Sequence, residues 1–254
     1  MKKSRRKVTI LDASAWVFNR MADVYDARPA YPGELVDAIA ELGSRTGRRV
    51  CDVGAGIGHL AVPLALRGFD VTAVEPAKLM LDRLGELSAQ SGVTIRRVHA
   101  AAESLPLEAG SFDLVLIADA LHFIDTELAA AEVARILLPG GSLALVTCEL
   151  TPTAYMNEVL RLMQRSAPRR PRPIQSRRAQ LSGVAKIPLL NERRFFDETP
   201  LLPEELERVL ASISFIGPAM NPERTQRFRE QLHAIAIPPV WARTFTLRYG
   251  RKPT

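Results

Sequence analysis

A glycine-rich turn between an apolar run and a helical segment constrains this chain more than any other part of its sequence. The turn is residues 52–58, DVGAGIG, which directly follow the short apolar run at 49–53. Glycine adopts positive φ without strain, and its missing side chain lets a ligand approach the backbone closely. The sequence therefore predicts a strand, a turn that contacts a small ligand, and a helix, as found in α/β folds.

Strand and helix patterns alternate along the region that contains this turn. Short apolar runs predict strands at 49–53, 69–74, 93–98, 112–118 and 142–149. Helical spacing predicts helices at 59–67, 77–90 and 126–138, the last of them ended by a Pro-Gly-Gly sequence at 139–141. Strands that alternate with helices form parallel βαβ units, so we expect a doubly wound, mostly parallel sheet.

The segments on either side of this core are less regular. Residues 14–42 predict two helices split by a turn at 28–33. Beyond the core, we predict a helix at 153–166, a proline- and arginine-rich loop at 167–185, helices at 204–212 and 222–236, and a closing strand at 240–249. We expect one domain over 1–254, with a basic tail (1–13), N-terminal helices (14–42), a core (49–149), a basic insertion that forms a lid (150–203), and C-terminal helices with a closing strand (204–254).

The net charge of +6 is concentrated in two segments. Residues 2–7 hold five basic residues and no acid, and residues 161–194 hold ten basic residues against Glu192, so the remainder carries −8. This distribution excludes a nucleic-acid binder that is basic all over, while one local basic surface stays compatible with it.

The cellular location follows from what the chain contains and lacks. No run approaches the roughly 18 apolar residues that a membrane span requires, and no signal-peptide hydrophobic region follows the basic N-terminus. Cys51 and Cys148 both lie in apolar, strand-like runs and form no disulfide framework. We therefore expect a reduced, cytoplasmic setting.

Two classes of cofactor bind to glycine-rich turns of this kind. A nicotinamide or flavin site uses G-x-G-x-x-G with an acidic residue about 20 positions further on for the ribose. Glu75 fits the acidic position, but Gly58 follows Gly56 after one residue, and His59 stands where the third small residue belongs. A turn for S-adenosylmethionine reads D/E-x-G-x-G-x-G, and this sequence meets every position, beginning with Asp52. The pattern favours S-adenosylmethionine.

Four further motifs occur in the order that one family of enzymes shows. They are Val74-Glu75-Pro76 at the end of the second strand, 102–107 before 110–115, 135–141 before the fifth strand, and 25–32 upstream of the core. With these motifs and the turn, the chain resembles the class I S-adenosylmethionine-dependent methyltransferases, in particular the ubiquinone-biosynthesis-like and trans-aconitate-methyltransferase-like (type 11) group. The resemblance covers about residues 16–149. It implies a Rossmann-like fold with a seven-stranded sheet, and S-adenosylhomocysteine as the product.

The resemblance also implies which residues bind the cofactor. Gly54 and Gly56 would let the backbone meet the methionyl part, Asp52 would pair with its ammonium group, and Glu75 would accept hydrogen bonds from both ribose hydroxyls. The expected set is Asp52, Gly54, Ala55, Gly56, Glu75, Pro76, Ala102 and Glu103 beside the adenine, Asp119 and Ala120 at the methyl-donor pocket, and Tyr25, Arg28 and Tyr31. The alternatives are a solvated acid at Glu75, a Glu103 that only opens a helical turn, and a merely rigid N-terminal turn.

Catalysis of methyl transfer depends mainly on positioning, because the sulfonium is already activated. A hydroxyl acceptor would still benefit from a base, and His122, just past the fourth strand, is the candidate catalytic residue. Its alternative role is a hydrogen bond at a helix start. The run 118–123 lacks the N/D-P-P-aromatic motif of relatives that methylate adenine or glutamine, which argues against those acceptors. The four histidines lack metal-ligand spacing, so we expect no metal.

The acceptor is the least constrained part of the prediction. We expect an oxygen, carboxylate or hydroxyl, of a small molecule, which arginines of the basic segment 161–194 could bind if it is anionic. That segment could instead contact RNA phosphates, or be a mobile loop without a ligand. Only Phe195 and Phe196 lie near its arginines, so stacking platforms for single-stranded nucleic acid are not evident. A non-catalytic protein that binds S-adenosylmethionine or a partner is the remaining alternative.

Overall fold

The structure is a computed structural model that describes residues 17–45, 47–166, 174–214 and 216–254. The predicted basic tail at 1–13 lies outside these residues. Two short 3₁₀ turns, Val17–Met21 and Tyr25–Ala27, stand where the first N-terminal helix is predicted. Pro29 and Pro32 prevent the segment from continuing as one helix, because a proline restricts the residue before it to extended backbone. Helix α1 then covers Gly33–Gly43.

The core alternates strands and helices as predicted, with boundaries shifted by a few residues. Its elements are β1 Arg49–Val53, α2 Ala61–Leu66, β2 Asp70–Val74, α3 Lys78–Gln90, β3 Arg96–Val98, β4 Phe112–Ala118, α4 Thr126–Ile136 and β5 Leu137–Leu150. The remaining elements are α5 Ala154–Ser166, α6 Ile174–Ala185, β6 Asn191–Pro200, α7 Pro203–Ala211, α8 Pro222–His233 and β7 Val240–Arg251. Two more 3₁₀ turns cover Leu121–Phe123 and Gly217–Ala219.

The strands form one seven-stranded sheet in the order β3-β2-β1-β4-β5-β7-β6. The pairs β1–β2, β1–β4, β2–β3 and β4–β5 are parallel, whereas β7 runs antiparallel to both β5 and β6. This confirms the predicted doubly wound, mostly parallel sheet. The strand order reverses between β1 and β4, and ligands of such folds bind at this switch point, outside the carboxyl ends of the strands.

Apolar residues cover both faces of the sheet. One cluster joins α1 and α2 to the sheet, and a second joins α4 and α6 to the other face. Strand β4 lies between them and is buried along 112–117, as its continuous apolar run predicts. Among the residues that the structure describes, no helix is both long and apolar enough to cross a membrane.

The prediction of a loop at 167–185 is wrong over Ile174–Ala185, which form α6. Its apolar contacts come from few residues, including the fully buried Leu181, so the arginines around them conceal the helical pattern. The predicted lid at 150–203 is also too long, because Asn191–Pro200 form β6 at the edge of the sheet. An edge strand tolerates charged residues, and the charge of β6 hides its strand character.

Helices α5, α7 and α8 form a separate layer, here called the helical cap. Their apolar side chains pack into a cluster of their own, which includes Trp241 and Ala242 at the start of β7. The end of β5 pairs with this part of β7, since Leu150 is opposite Arg243. The helical cap therefore lies beside the carboxyl end of the sheet.

Arg243 joins the N-terminal turn (residues 28–33) to the far end of the sheet. Its guanidinium donates to the carbonyl oxygens of Pro29 and Ala30, at 2.8 Å each, and its Nε donates to the Asp197 carboxylate at 3.0 Å. The Arg243 side chain is 7% exposed and that of Asp197 is 22% exposed. The position of the N-terminal turn thus depends on a buried charge from β7.

We predict that Arg243→Met lowers the free energy of unfolding by about 3 kcal/mol, because the Asp197 charge and two carbonyl groups lose their partner. Urea-induced unfolding at neutral pH measures this change. The matched control is Arg248→Met, which removes a more exposed ion pair with Glu192 and should cost much less. Equal losses in the two variants would contradict a special role for Arg243.

Candidate functional site

A cavity of about 320 Å³ lies at the carboxyl ends of the parallel strands, between the N-terminal turn and the helical cap. All the residues that the sequence predicts for the site line this one cavity: Tyr25, Arg28, Tyr31, Asp52, Gly54, Ala55, Gly56, Glu75, Pro76, Ala102, Glu103, Asp119, Ala120 and His122. The structure brings them together from four strand ends and the N-terminal segment. Their individual roles remain predictions.

The glycine turn joins the ends of β1 and β2. The backbone N–H groups of Gly54 and Ala55 both donate to the Val74 carbonyl, at 2.8 and 3.1 Å. Gly54 and Gly56 have φ of 77° and 56°, a region that favours glycine. A Cβ on Gly54 would lie 2.6 Å from the Ala120 Cβ, closer than two carbon atoms can pack. Glycine at position 54 is therefore required by both backbone angle and space.

Glu75 extends from the end of β2 to the same turn. Its two carboxylate oxygens accept hydrogen bonds from the N–H groups of Gly56 and Ala77, each at 2.9 Å. The residue is 6% exposed, and burial raises its pKa although the two N–H groups act in the opposite direction. Burial rules out the alternative of a solvated acid. Each oxygen keeps a lone pair for a further donor, which suits a ligand with two neighbouring hydroxyls.

Asp52 is the second buried carboxylate beside the turn. It is 2% exposed, and burial, followed by the negative charge of Glu75, raises its pKa to about 7. Burial and the Glu75 charge are the causes of this shift, and both act in the same direction. Burial of a charged carboxylate is costly, and a cationic ligand group would offset that cost.

Asp119 follows β4 and is held in a left-handed conformation, with φ of 49°. Its Oδ1 accepts a hydrogen bond from the Cys148 N–H at 2.7 Å, and its Oδ2 accepts one from the Tyr31 hydroxyl at 3.4 Å. Burial raises its pKa to about 6, partly opposed by the Cys148 N–H and the charge of Arg28. Asp119 therefore links the ends of β4 and β5 to the N-terminal turn.

Arg28 connects the N-terminal turn to the helical cap. Its guanidinium donates to the Ser212 Oγ and carbonyl oxygen, at 2.8 and 2.7 Å, directly after α7. It also donates to the Tyr25 hydroxyl at 3.0 Å and lies 4.1 Å from the centre of the Tyr25 ring. These contacts show that Arg28 organises the wall of the cavity rather than being a free cation at the surface.

The cavity lining also includes His59 and Arg243, which the sequence did not predict as site residues. His59 is half-buried with its ring 5.8 Å from that of Tyr25, and desolvation, then the charges of Arg28 and Arg243, lower its pKa to about 4. It is therefore neutral at pH 7. The sequence marked His59 only as a misfit to a dinucleotide motif, and Arg243 comes from a strand far along the chain, so no local pattern assigns it to the site.

The side of the cavity next to the helical cap is apolar, and its lining includes Met163, Val209, Ile213, Trp241 and Phe245. No basic residue in the described part of 161–194 lines the cavity. Arg177 instead donates to the Ile124 carbonyl at 2.7 Å, and Arg193 and Arg194 pair with Glu41 and Glu192. The predictions of an anionic acceptor or of RNA, which rest on this segment, gain no support from the cavity.

Metal-ligating side chains do not cluster in the part of the chain that the structure describes. Glu103 is half-buried, and its Oε1 accepts a hydrogen bond from the Asp125 N–H at 2.6 Å. Asp125 caps α4 by accepting from the N–H groups of Glu127 and Leu128. Glu103 thus positions the segment that carries His122, which lies in the preceding 3₁₀ turn.

Comparisons with known proteins find similarity to methyltransferases in sequence and to solved structures in fold. Residues 51–145 match a family model described as a methyltransferase domain. An uncharacterized methyltransferase of Mycobacterium tuberculosis is 44% identical over 119 residues, which are 47% of this chain and 46% of that protein. The chain therefore spans about half the length of the curated relatives it matches.

Two solved structures share the fold. The YcgJ protein of Bacillus subtilis superimposes with a TM-score of 0.59 at 20% identity, covering 88% of this chain and 100% of that one. A geranyl diphosphate methyltransferase, solved with S-adenosylmethionine, gives a TM-score of 0.53 at 13% identity, covering 86% and 84%. Residues 51–145 are therefore similar to a methyltransferase domain, and they lie within a fold that the chain shares with these solved structures.

We predict that Gly54→Ala lowers the affinity for S-adenosylhomocysteine at least tenfold and the free energy of unfolding by about 1–3 kcal/mol, since the added methyl collides with Ala120 and positive φ becomes strained. Calorimetric titration and urea unfolding measure the two effects. The control is Gly33→Ala at the start of α1, where a Cβ meets nothing within 4 Å. If Gly54→Ala binds like the control, close approach at the turn is unimportant.

Proposed function

We propose that this protein transfers the methyl group of S-adenosylmethionine to an oxygen of a small, largely apolar molecule. One observation carries the proposal: two buried carboxylates, Asp52 and Glu75, flank the glycine turn, and Glu75 keeps a lone pair on each oxygen for a further donor. They stand at the ends of neighbouring strands, since β1 and β2 pair in register. A ligand with an ammonium group at one end and a ribose diol near the other matches this pair.

The residues that would hold this ligand follow from the same geometry. Asp52 would accept hydrogen bonds from the ammonium group, and Glu75 from the two ribose hydroxyls. Gly54, Ala55 and Gly56 leave room above the turn, while Ala102 and Glu103 line the wall that we assign to the adenine. The structural neighbour solved with S-adenosylmethionine supports this choice of ligand for the fold.

The bound cofactor supplies a methyl group that its sulfonium has already activated. The protein's task is then to position the acceptor and exclude water, and positioning can contribute on the order of 7–11 kcal/mol. Phe18 contacts Phe123 edge to face, with ring centres 4.8 Å apart, and Tyr25 lies 6.3 Å from Phe18. These aromatic rings screen one side of the cavity and offer π faces to a cationic centre.

The acceptor would bind on the side of the helical cap. Its lining of Met163, Val209, Ile213 and Trp241 favours an apolar body, and the polar groups Asp119, Tyr31 and His122 stand on the strand side. We propose His122 as the base for a hydroxyl acceptor, because it lines the cavity just beyond β4. A carboxylate acceptor would need no base.

A cytoplasmic location is part of the proposal. Cys51 and Cys148 are both free, and burial raises the pKa of each thiol, so both remain protonated and unpaired. Free cysteines of this kind are usual in a reducing compartment.

The first test is calorimetric titration with S-adenosylhomocysteine, with NAD as a control ligand. We predict micromolar binding of the first ligand alone, and at least tenfold weaker binding in Asp52→Asn and Glu75→Gln, since each loses a charge-assisted contact. The surface variant Asp82→Asn, which breaks only an exposed pair with Lys78, should bind normally. Preference for NAD, or no binding by the folded protein, would exclude the proposed function.

The pH dependence of this binding gives a second prediction. Below pH 7 the Asp52 carboxyl is mostly protonated, so pairing with an ammonium group must first release a proton, at about 1.4 kcal/mol per pH unit. The affinity for S-adenosylhomocysteine should therefore rise as pH increases from 5.5 towards about 7 and level off above it. In Asp52→Asn this rise should be smaller, because Asp119 still titrates in this pH range. A rise of the same size in that variant would assign it to another group.

If S-adenosylhomocysteine binds, methyl transfer is tested next by incubating the protein with S-adenosylmethionine and apolar acids or phenols. The amount of S-adenosylhomocysteine formed measures the transfer. We expect turnover with a subset of these acceptors, and a loss of at least tenfold in His122→Ala for phenols only. Binding without turnover on any acceptor, RNA included, would favour a non-catalytic binding protein.

A further inference from the structure

The exposed edge of the sheet carries an unusual group of apolar side chains. Leu190, Phe196 and Leu202, on or directly beside β6, are 86%, 58% and 58% exposed. They are six residues apart, so an extended strand places all three on one face, together with Arg194 and Glu198. The other face of β6 is occupied, since Phe195 is buried in the core and Asp197 pairs with Arg243.

The backbone of β6 offers free hydrogen-bonding groups on its outer side. The Leu201 N–H donates to the Pro239 carbonyl and continues the register between β6 and β7. Because N–H and C=O groups alternate sides along an antiparallel strand, the odd-numbered residues bond to β7 and the even-numbered ones point away from the sheet. The outward set is Glu192, Arg194, Phe196, Glu198 and Pro200. Such an edge is a template for another strand.

The side chains on this edge are complementary to themselves. When two copies of one strand pair antiparallel about a two-fold axis, side chains of directly opposite residues lie on the same face of the sheet. Because faces alternate along the strand, the numbers of two opposite residues are both even or both odd, and their sum is even. A two-fold axis at Phe196 gives the sum 392. It places Arg194 opposite Glu198 of the second copy, Phe196 opposite Phe196, and Leu190 opposite Leu202. Two ion pairs and three apolar contacts then form across the axis, and the outward backbone groups of positions 194, 196 and 198 pair fully.

Neighbouring registers lack this match. An axis at Phe195 places Glu192 opposite Glu198, and like charges directly opposite each other are destabilising. An axis at Asp197 places Arg194 opposite Pro200 and Glu198 opposite Phe196, so neither charge gains an oppositely charged partner in the second copy. The pattern of charge and apolar exposure therefore selects the axis at Phe196.

We propose that two copies of this chain associate through β6, with the two-fold axis at Phe196, so that one sheet runs through both copies. The occupant of the edge is a second copy because the same five positions, 190, 194, 196, 198 and 202, supply both halves of every contact. None of the residues that line the cavity belongs to β6, so the proposal stands independently of methyl transfer.

Sedimentation velocity over a concentration series tests the association. We expect a species of twice the 28.0 kDa chain mass. Arg194→Glu and Glu198→Arg should each raise the dimer dissociation constant at least tenfold, because each creates two like-charge pairs. The double variant should restore it, since reversal of both charges rebuilds both pairs. The control Leu66→Asp changes an exposed apolar residue on α2 and should leave association unchanged.

Disulfide trapping tests the register by a distance rather than by an affinity. Opposite residues in a hydrogen-bonded antiparallel pair have Cα atoms about 5.5 Å apart, within the range of a disulfide. Phe196→Cys should therefore cross-link to a dimer under mild oxidation. Glu198→Cys is the matched control, because its counterpart in the second copy lies four residues along the strand, about 13 Å away. The parent chain, with Cys51 and Cys148, controls for native thiols.

A monomer at every concentration would overturn the proposal. So would a dimer whose dissociation constant is unchanged in both single charge variants, or equal cross-linking of Phe196→Cys and Glu198→Cys. Circular dichroism of each variant confirms that it is folded, so that loss of association is not mistaken for loss of structure.

Discussion

The site depends on the shared hydrogen bonds from Gly54 and Ala55 to the Val74 carbonyl. They draw the end of β1 against the end of β2 and turn the chain sharply away from the sheet. Space is available for this turn only because position 54 has no side chain beside Ala120. Once the turn is set, Asp52 and Glu75 are brought together in a buried pocket, and their raised pKa values follow from that burial.

The cavity also depends on two arginines that bind protein groups rather than solvent. Arg28 joins the N-terminal turn to the end of α7, and Arg243 joins the same turn to β6 and β7. Their charges oppose those of Asp119 and lower the pKa of His59. The positive charges of these two arginines therefore partly offset the cost of burying the Asp119 carboxylate in the cavity.

Local patterns in the sequence predicted the core and a set of residues that line one cavity. The glycine turn, Glu75 and the end of β4 each follow a strand whose apolar run is visible by itself, and parallel strands bring such ends to one edge. The sequence did not predict α6, β6 or the contribution of Arg243. In α6 and β6 few residues face the core, so charge obscures periodicity. Arg243 is 214 residues from Pro29, and no local rule connects such distant positions.

The contact between Arg243 and the N-terminal turn has a consequence for the order in which the molecule matures. A ribosome releases the glycine turn and its two carboxylates long before β7 emerges, since residues 52–75 precede residue 243 by most of the chain. Until then the N-terminal turn lacks its anchor, and the cavity has no complete wall. Contacts of such long sequence separation form late and slowly. The wall of the cavity is thus completed only when β7 enters the sheet.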